Sequence, residues 1–206
     1  MKVLKFQTQE EWMEARKCKI TGSRLNDIVI KRGTGQKKGF YELIAERLAL
    51  PPDGEDVMDR GNRLEDEAIE MFKKETGKDV DTSLVIWTRD DNESIAISPD
   101  GFIGETEAVE AKCLCSANHI ESYLTQDYPK TSTQYNSYIM QSRQYFIVND
   151  KLEKLHVVFY DPRLQFKNFF YFTLTRPVLE AEIKNYLEYQ RTTLEEVDKI
   201  VNELSF

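Results

Sequence analysis

The succession of patterns along the 206 residues predicts an α/β fold with a mixed central sheet flanked by helices. Three observations predict it. Helical spacing of apolar side chains dominates as far as Thr76, and residues 80–114 break into short apolar runs divided by Asp, Asn, Pro and Gly turns. Beyond Pro129 come a helix, two aromatic-rich strands and a long amphipathic helix. No repeat, low-complexity tract or linker interrupts this order, so the expected organisation is a single domain over 1–206. Its N-terminal helices fall within 8–49, its core within about 57–174, and its closing helix at about 178–204.

Each element has its own signal. Thr8 followed by Glu11 reads as a capping box opening a helix through about Cys18, and Thr21 opens another whose Leu25, Ile28 and Val29 share a face. The segment KRGTGQKKG, Lys31 to Gly39, combines three glycines with four cationic side chains and reads as a basic loop without the spacing of a nucleotide-triphosphate loop. Phe40 to Ala49 forms a helix ended by Pro51 and Pro52, and Val57 to Thr76 a longer one stopped by Gly77. The apolar stripe of that helix is Leu64, Ala68, Met71 and Phe72, with Glu65 on its border, where an acid is either half exposed or functional. A compact meander follows: LVIW at 84–87, a turn at Asp90, Asp91 and Asn92, SIAIS at 94–98, a turn at Pro99, Asp100 and Gly101, FIG at 102–104, and EAVEAKCL at 107–114. A helix over about 132–148, strands at 155–160 and 168–174, and the helix from Val178 complete the chain.

Composition bounds what such a fold can be. Hydrophobic residues make up 40% and the net charge is -8, with a pI near 5.0, which suits a soluble globular chain. No stretch reaches the ~20 apolar residues of a membrane span, the opening MKVLKFQTQEEW has no apolar leader core, and a cytoplasmic location is expected. Three cysteines, Cys18, Cys113 and Cys115, make no disulfide framework and suggest unbridged thiols in a reducing compartment. An acidic total ordinarily counts against nucleic acid as a partner. Its distribution is uneven, however. Residues 1–50 hold eleven Lys/Arg against six Asp/Glu, a net of +5, and residues 51–100 hold six against fifteen, a net of -9. Such segments suit an anionic partner met by one part and cations gathered by another, although a solvated charged surface is the commoner cause.

The chemistry concentrates in SPDGFIGETEAVEAKC, residues 98–113. Side chains alternate along a strand, so Glu110 and Lys112 share one face while Val109, Ala111 and Cys113 take the other. A hairpin can return Glu110 to the neighbourhood of Asp100, giving two hard oxygen ligands of the kind Mg²⁺ prefers, with a lysine beside them. Carboxylates that hold metal and a lysine that positions water are the parts of metal-assisted phosphodiester hydrolysis. The plainer alternative makes Asp100 a turn residue, and Glu110 and Lys112 solvent-facing residues of an edge strand. On spacing alone that alternative is favoured.

Asp100 followed by Glu110-Ala111-Lys112 resembles the PD-(D/E)XK nuclease signature, and six ordered blocks extend the likeness over about residues 12–148. They are Trp12 with Arg16, ITGS at 20–23, Gly61 with Glu65 and Ala68, SPDG, EAKC, and Tyr138 with Gln141. In this order they resemble the phage lambda exonuclease and YqaJ-type viral recombinase family of the PD-(D/E)XK superfamily. The resemblance implies a restriction-endonuclease-like core and a Mg²⁺-dependent 5′→3′ exonuclease acting on double-stranded DNA ends. Its product would be 3′ single strands for annealing-type recombination. It implies that Asp100, Glu110, the Ala111 carbonyl and Glu65 hold metal, two ions per site, with Mn²⁺ as a substitute, and that Lys112 orients or activates the water. It places Gln141 close to the catalytic centre and Arg16 and Ser23 on the 5′-phosphate. It further implies a trimeric ring around DNA, a single-strand annealing protein as partner, and the cytoplasm of a bacterial host if the gene is phage-borne. Ala111 stands where the family has a larger aliphatic residue, and Leu114 where it often has proline; neither removes a catalytic group.

Independent chemistry agrees in part. Arginine offers a planar donor set for phosphate, and Ser23 falls in the first turn after Thr21, where backbone N–H groups favour an anion. Taken alone, Arg16 reads as a surface residue. Tyr138 and Gln141 share a helix face, as core residues also do. Cys113, Cys115 and His119 fall short of a structural zinc pattern and read as packed thiols with a surface histidine. His156 reads as a strand residue. No motif supports a serine or cysteine hydrolase, and three cysteines are one short of an iron–sulfur cluster. The rival functions are a metal-dependent endonuclease of restriction or repair type and a non-catalytic DNA-end-binding protein with the same fold.

Overall fold

A computed structural model of the chain describes residues 38–48 and 57–204 together with Thr8, Glu11 and Glu14. Near the start the Glu11 N–H donates to Thr8 Oγ1 at 3.1 Å, half of the expected capping box. The rest of that first helix, the helix expected from Thr21, most of the basic loop, and Cys18, Arg16 and Ser23 lie outside the described residues.

Helix α1 spans Lys38–Arg47 and α2 spans Val57–Thr76. The α2 boundaries are those the apolar stripe predicts. At its end Gly77 adopts φ +69 and its N–H closes onto the Lys73 carbonyl at 2.8 Å, a left-handed stop that suits glycine. Strands β1 (Trp87–Thr88) and β2 (Ala96–Ile97) make a short antiparallel ribbon. Next come β3 (Gly101–Ile103), β4 (Glu107–Lys112), α3 (Ser116–Thr125), α4 (Tyr135–Val148), β5 (Lys154–Tyr160), β6 (Phe169–Thr175) and α5 (Arg176–Leu204). The main sheet has the order β3-β4-β5-β6. Its central pair β4–β5 is parallel and its outer pairs are antiparallel, so the sheet is mixed as expected. A parallel pair needs a long crossover, which α3 and α4 supply.

Alternation along the strands gives the sheet two apolar faces. Val109, Ala111, Cys113, Val158 and Tyr160 pack under Leu64, Ala68, Ile69 and Phe72 of α2. Ala108, Leu155, Val157, Phe159 and Phe170 pack on the other face against Tyr145 and Phe146 of α4 and Leu179 and Ile183 of α5. Each fully buried Val, Leu, Ile or Phe among them contributes about 1.5–3 kcal/mol. Among the described residues no helix is long and apolar enough to cross a membrane.

Two expectations fail and one helix goes unread. In LVIW only Trp87 enters a strand; Leu84 and Ile86 are exposed at 103% and 73%. The short β2 offers no partner that far, since Ser98 Oγ already takes the Val85 carbonyl at 2.8 Å. Helix α3 is the unread element, and SANHIESYLT mixes polar and apolar positions. The fold buries its Ser116, which donates to Asp161 at 2.7 Å, and its Glu121, which accepts the Thr131 N–H at 3.2 Å. His119, expected at the surface, is 1% exposed, with its Nε2 on the Lys167 carbonyl at 2.9 Å.

Candidate active site

The site forms where β4 outruns β3. Pairing between them starts at Ile103 opposite Glu107 and stops at Gly101 opposite Val109, so the next residue of each strand, Asp100 and Glu110, stand side by side. A Cβ on Gly101 would lie 2.6 Å from Val80 Cγ1, so glycine alone lets the chain pass Val80 and bring Asp100 to this edge. Asp100 Oδ2 then accepts the Ala111 N–H at 2.7 Å, in place of the missing strand. The N–H and C=O of one strand residue point to the same edge, so the Ala111 carbonyl also faces Asp100 and not the β5 ladder.

Glu110 is 3% exposed on a central strand, which removes the alternative of a solvent-facing edge residue. Its Oε1 accepts from Lys112 Nζ, and its Oε2 accepts the Tyr145 O–H at 2.5 Å. Lys112 Nζ also donates to Gln141 Oε1 at 2.9 Å and lies 5.2 Å from the Tyr138 ring centroid, a cation–π distance. The ammonium is thus held on three sides by β4 and α4. Glu65 approaches from α2 and is half-buried on the border of its apolar stripe.

Electrostatically the acids are under-compensated. Burial, then the charges of Glu110 and Glu65, push Asp100 up from 3.8 to about 8, against smaller opposing pulls from the Ala111 N–H and Lys112. Burial also raises Glu65, followed by Glu110 and Asp66, while Lys112 lowers it. Among the described residues no three acidic, His or Cys side chains close into a finished metal cage. The Glu110 oxygens are taken by Lys112 and Tyr145, and one Asp100 oxygen by the Ala111 amide.

The fold therefore joins Asp100, Glu110, Ala111, Lys112 and Gln141, with Glu65 close enough to raise Asp100. Arg16 and Ser23 are outside the described residues. Tyr145 is the member that sequence reading missed. It sits one turn after Gln141 and two after Tyr138 on the same face of α4, and that spacing was a usable signal.

A mixed sheet flanked by helices, with Asp100 beside Glu110-Ala111-Lys112 on neighbouring strands, defines the PD-(D/E)XK class of fold. Within it the chain belongs to the YqaJ-like viral recombinase domain family, whose model matches residues 11–151. Among solved structures it is similar to an alkaline exonuclease (LHK-Exo) from Laribacter hongkongensis, at 28% identity and a TM-score of 0.61, covering 96% of this chain and 98% of that one. LHK-Exo in complex with dAMP matches at 27% identity and a TM-score of 0.56, over 95% and 100% of the two chains. A phage-related exonuclease from Haemophilus somnus 129PT shares the fold at 14% identity and a TM-score of 0.52, over 93% and 99%. Among curated proteins no sequence matches the chain.

Proposed function

We propose that this chain is a Mg²⁺-dependent deoxyribonuclease that degrades double-stranded DNA from its ends in the 5′→3′ direction, leaving 3′ single strands for annealing-type recombination. One observation carries the reading: Asp100, Glu110 and Lys112 meet at the open edge of β4, in a YqaJ-like domain. The likeness to an alkaline exonuclease over nearly the whole chain supports it, as does the dAMP, a deoxynucleoside monophosphate, bound by that relative.

The donor set fits a hard divalent cation. It comprises the carboxylates of Asp100, Glu110 and Glu65 and the Ala111 carbonyl, with no sulfur or imidazole among them. Acids that burial and mutual repulsion hold above their ordinary range are those a cation relieves. These four residues would hold two Mg²⁺ or Mn²⁺ ions, which when bound supply charge stabilisation for the attacking and leaving oxygens. Lys112 orients the attacking water and Gln141 keeps its ammonium aimed into the site. Arg16 and Ser23, by family resemblance, hold the terminal 5′-phosphate and so set the polarity. A homotrimeric ring, a single-strand annealing partner, a one-domain organisation over 1–206 and a bacterial cytoplasmic setting belong to the same reading.

The test compares linear duplex with and without a 5′-phosphate and a covalently closed circle, in Mg²⁺ and in EDTA. Expected are degradation of the linear duplex alone, faster with the phosphate, and none in EDTA. Cutting of the closed circle would establish an endonuclease, and retention of ends without metal-dependent cleavage a binding protein.

A further inference from the structure

Tyr145 has a divided environment. Its ring is wholly buried in the α4–α5 side of the core and meets Trp87 edge-on, with centroids 6.4 Å apart and planes at 86°. Trp87 also meets Phe102 edge-on at 5.7 Å and pairs with Ile97 in the β1–β2 ribbon. The hydroxyl leaves this apolar packing. It donates to Glu110 Oε2 at 2.5 Å, and the backbone amide of Asp100 acts on the phenol oxygen itself. One phenol oxygen thus stands between the side chain of one acid and the main chain of the other.

We infer that Tyr145 is the positioning residue for the Asp100–Glu110 pair, setting the Glu110 carboxylate plane and its distance from the Asp100 turn so that cation affinity depends on this hydroxyl. The inference rests on the metal-dependent reading above. Glu110 has two holders of different kinds. Lys112 reaches Oε1 on a flexible four-carbon stem. Tyr145 reaches Oε2 from a ring with two torsions, packed where leaving would open the core. The rigid partner sets the carboxylate, and the flexible one is able to turn toward substrate. Tyr128 supplies the contrast. It is equally buried in the same cluster, but its hydroxyl pairs with Ser142 Oγ at 2.5 Å and touches neither acid. A buried phenol in this core is therefore satisfied without a carboxylate, and of the two hydroxyls that of Tyr145 alone hydrogen-bonds an acid of the site.

Tyr145→Phe keeps the ring and removes the hydroxyl. Mn²⁺ is titrated into the full chain by calorimetry, alongside the melting temperature and kcat and KM on linear duplex. Expected is a loss of roughly 10- to 100-fold in Mn²⁺ affinity, of the size that hydrogen-bond partners of metal ligands confer. A similar fall in kcat should accompany it with little change in KM, whereas Tyr128→Phe lowers the melting temperature only. Wild-type Mn²⁺ affinity and kcat in Tyr145→Phe overturn the inference, whatever the melting temperature does. The double variant Tyr145→Phe, Glu110→Gln guards against a fold defect, since a neutral partner costs less to leave unbonded. There, loss of the hydroxyl should no longer change Mn²⁺ affinity, and an undiminished loss overturns the inference. Absence of Mn²⁺ binding by the unmodified chain instead sinks the metal reading itself, so the two failures are distinguishable.

Discussion

Glu107 and Glu110 lie three residues apart on β4 and are treated in opposite ways. Glu107 opens the strand among Lys78 at 2.6 Å, Lys154 at 3.3 Å and His156 at 2.9 Å. Burial pushes its carboxyl up, but these three hydrogen bonds prevail and hold it at about 2. Burial outweighs Glu107 at the histidine, whose pKa is lowered, so its ring is neutral at pH 7 and serves as a hydrogen-bonding group between Glu107 and Thr173. At the far end of the strand Glu110, Asp100 and Glu65 share one lysine among the described residues, and Asp100 rises to about 8. One cluster is balanced within the fold, and the other leaves its acids under-compensated, the deficit that the proposed cations would relieve. That difference, more than the number of acids, separates a structural ion pair from a candidate catalytic site.

The strongest way to break the contrast is to neutralise the deficient end. Asp100→Asn keeps an acceptor for the Ala111 N–H but removes a proposed metal ligand, with an expected loss of several kcal/mol of charge stabilisation, or ~10³-fold in rate. Lys112→Ala should cost ~10²–10⁴-fold by removing the group proposed to orient the water. Both are read as nuclease rates on linear duplex in Mg²⁺. Asp100→Asn should nevertheless melt no lower than the parent chain in EDTA at alkaline pH, because it removes repulsion as well as function.

A pH series sharpens the comparison further. The folded pKa of Asp100 is raised, so the stability it contributes is fully present below its unfolded value of 3.8 and is lost as pH climbs through about 8. In EDTA the melting temperature should fall across that window, by on the order of 2–4 °C per kcal/mol for a chain of this size. The rise in melting temperature on adding Mg²⁺ should grow over the same window and stay flat in Asp100→Asn.

The smallest effect is expected at the balanced end. Glu107→Gln should lower stability by about 1–2 kcal/mol, since Lys78 and Lys154 are partly solvated, and leave nuclease activity unchanged. The depressed pKa of Glu107 makes its contribution present above 4.5 and lost as pH falls through about 2. Denaturation curves of the variant should therefore show a weaker loss of stability over that acid range.

Legibility followed how local each signal was. The reading of a helix over about 57–76 with a Gly77 stop matches the observed α2, and the aromatic runs place β5 and β6 within a residue or so at each end. Glu65 on the stripe border, and Glu110 and Lys112 on one face of β4, were readable because spacing within an element fixes which side chains are neighbours, whereas Asp100, in the turn before β3, joined them through the family resemblance. Helix α3 escaped because its buried polar side is satisfied by Asp161, Lys167 and Thr131, partners remote in sequence. Leu84 and Ile86 misled because an apolar run becomes a strand only where another strand is present to pair with it.

By itself the sequence determined the elements, the faces they present and the chemical types gathered along 98–113, since rotation per residue in a helix or strand is a property of the backbone. Only the tertiary structure decided that β4 is central, so that Glu110 is buried and not solvent-facing. Only it set the Tyr145 hydroxyl against Glu110 Oε2 and left the two ends of one strand with opposite charge balance. Burial and long-range pairing depend on which elements meet, and in a low-dielectric interior that meeting decides whether a carboxylate is paired off or left to bind a cation.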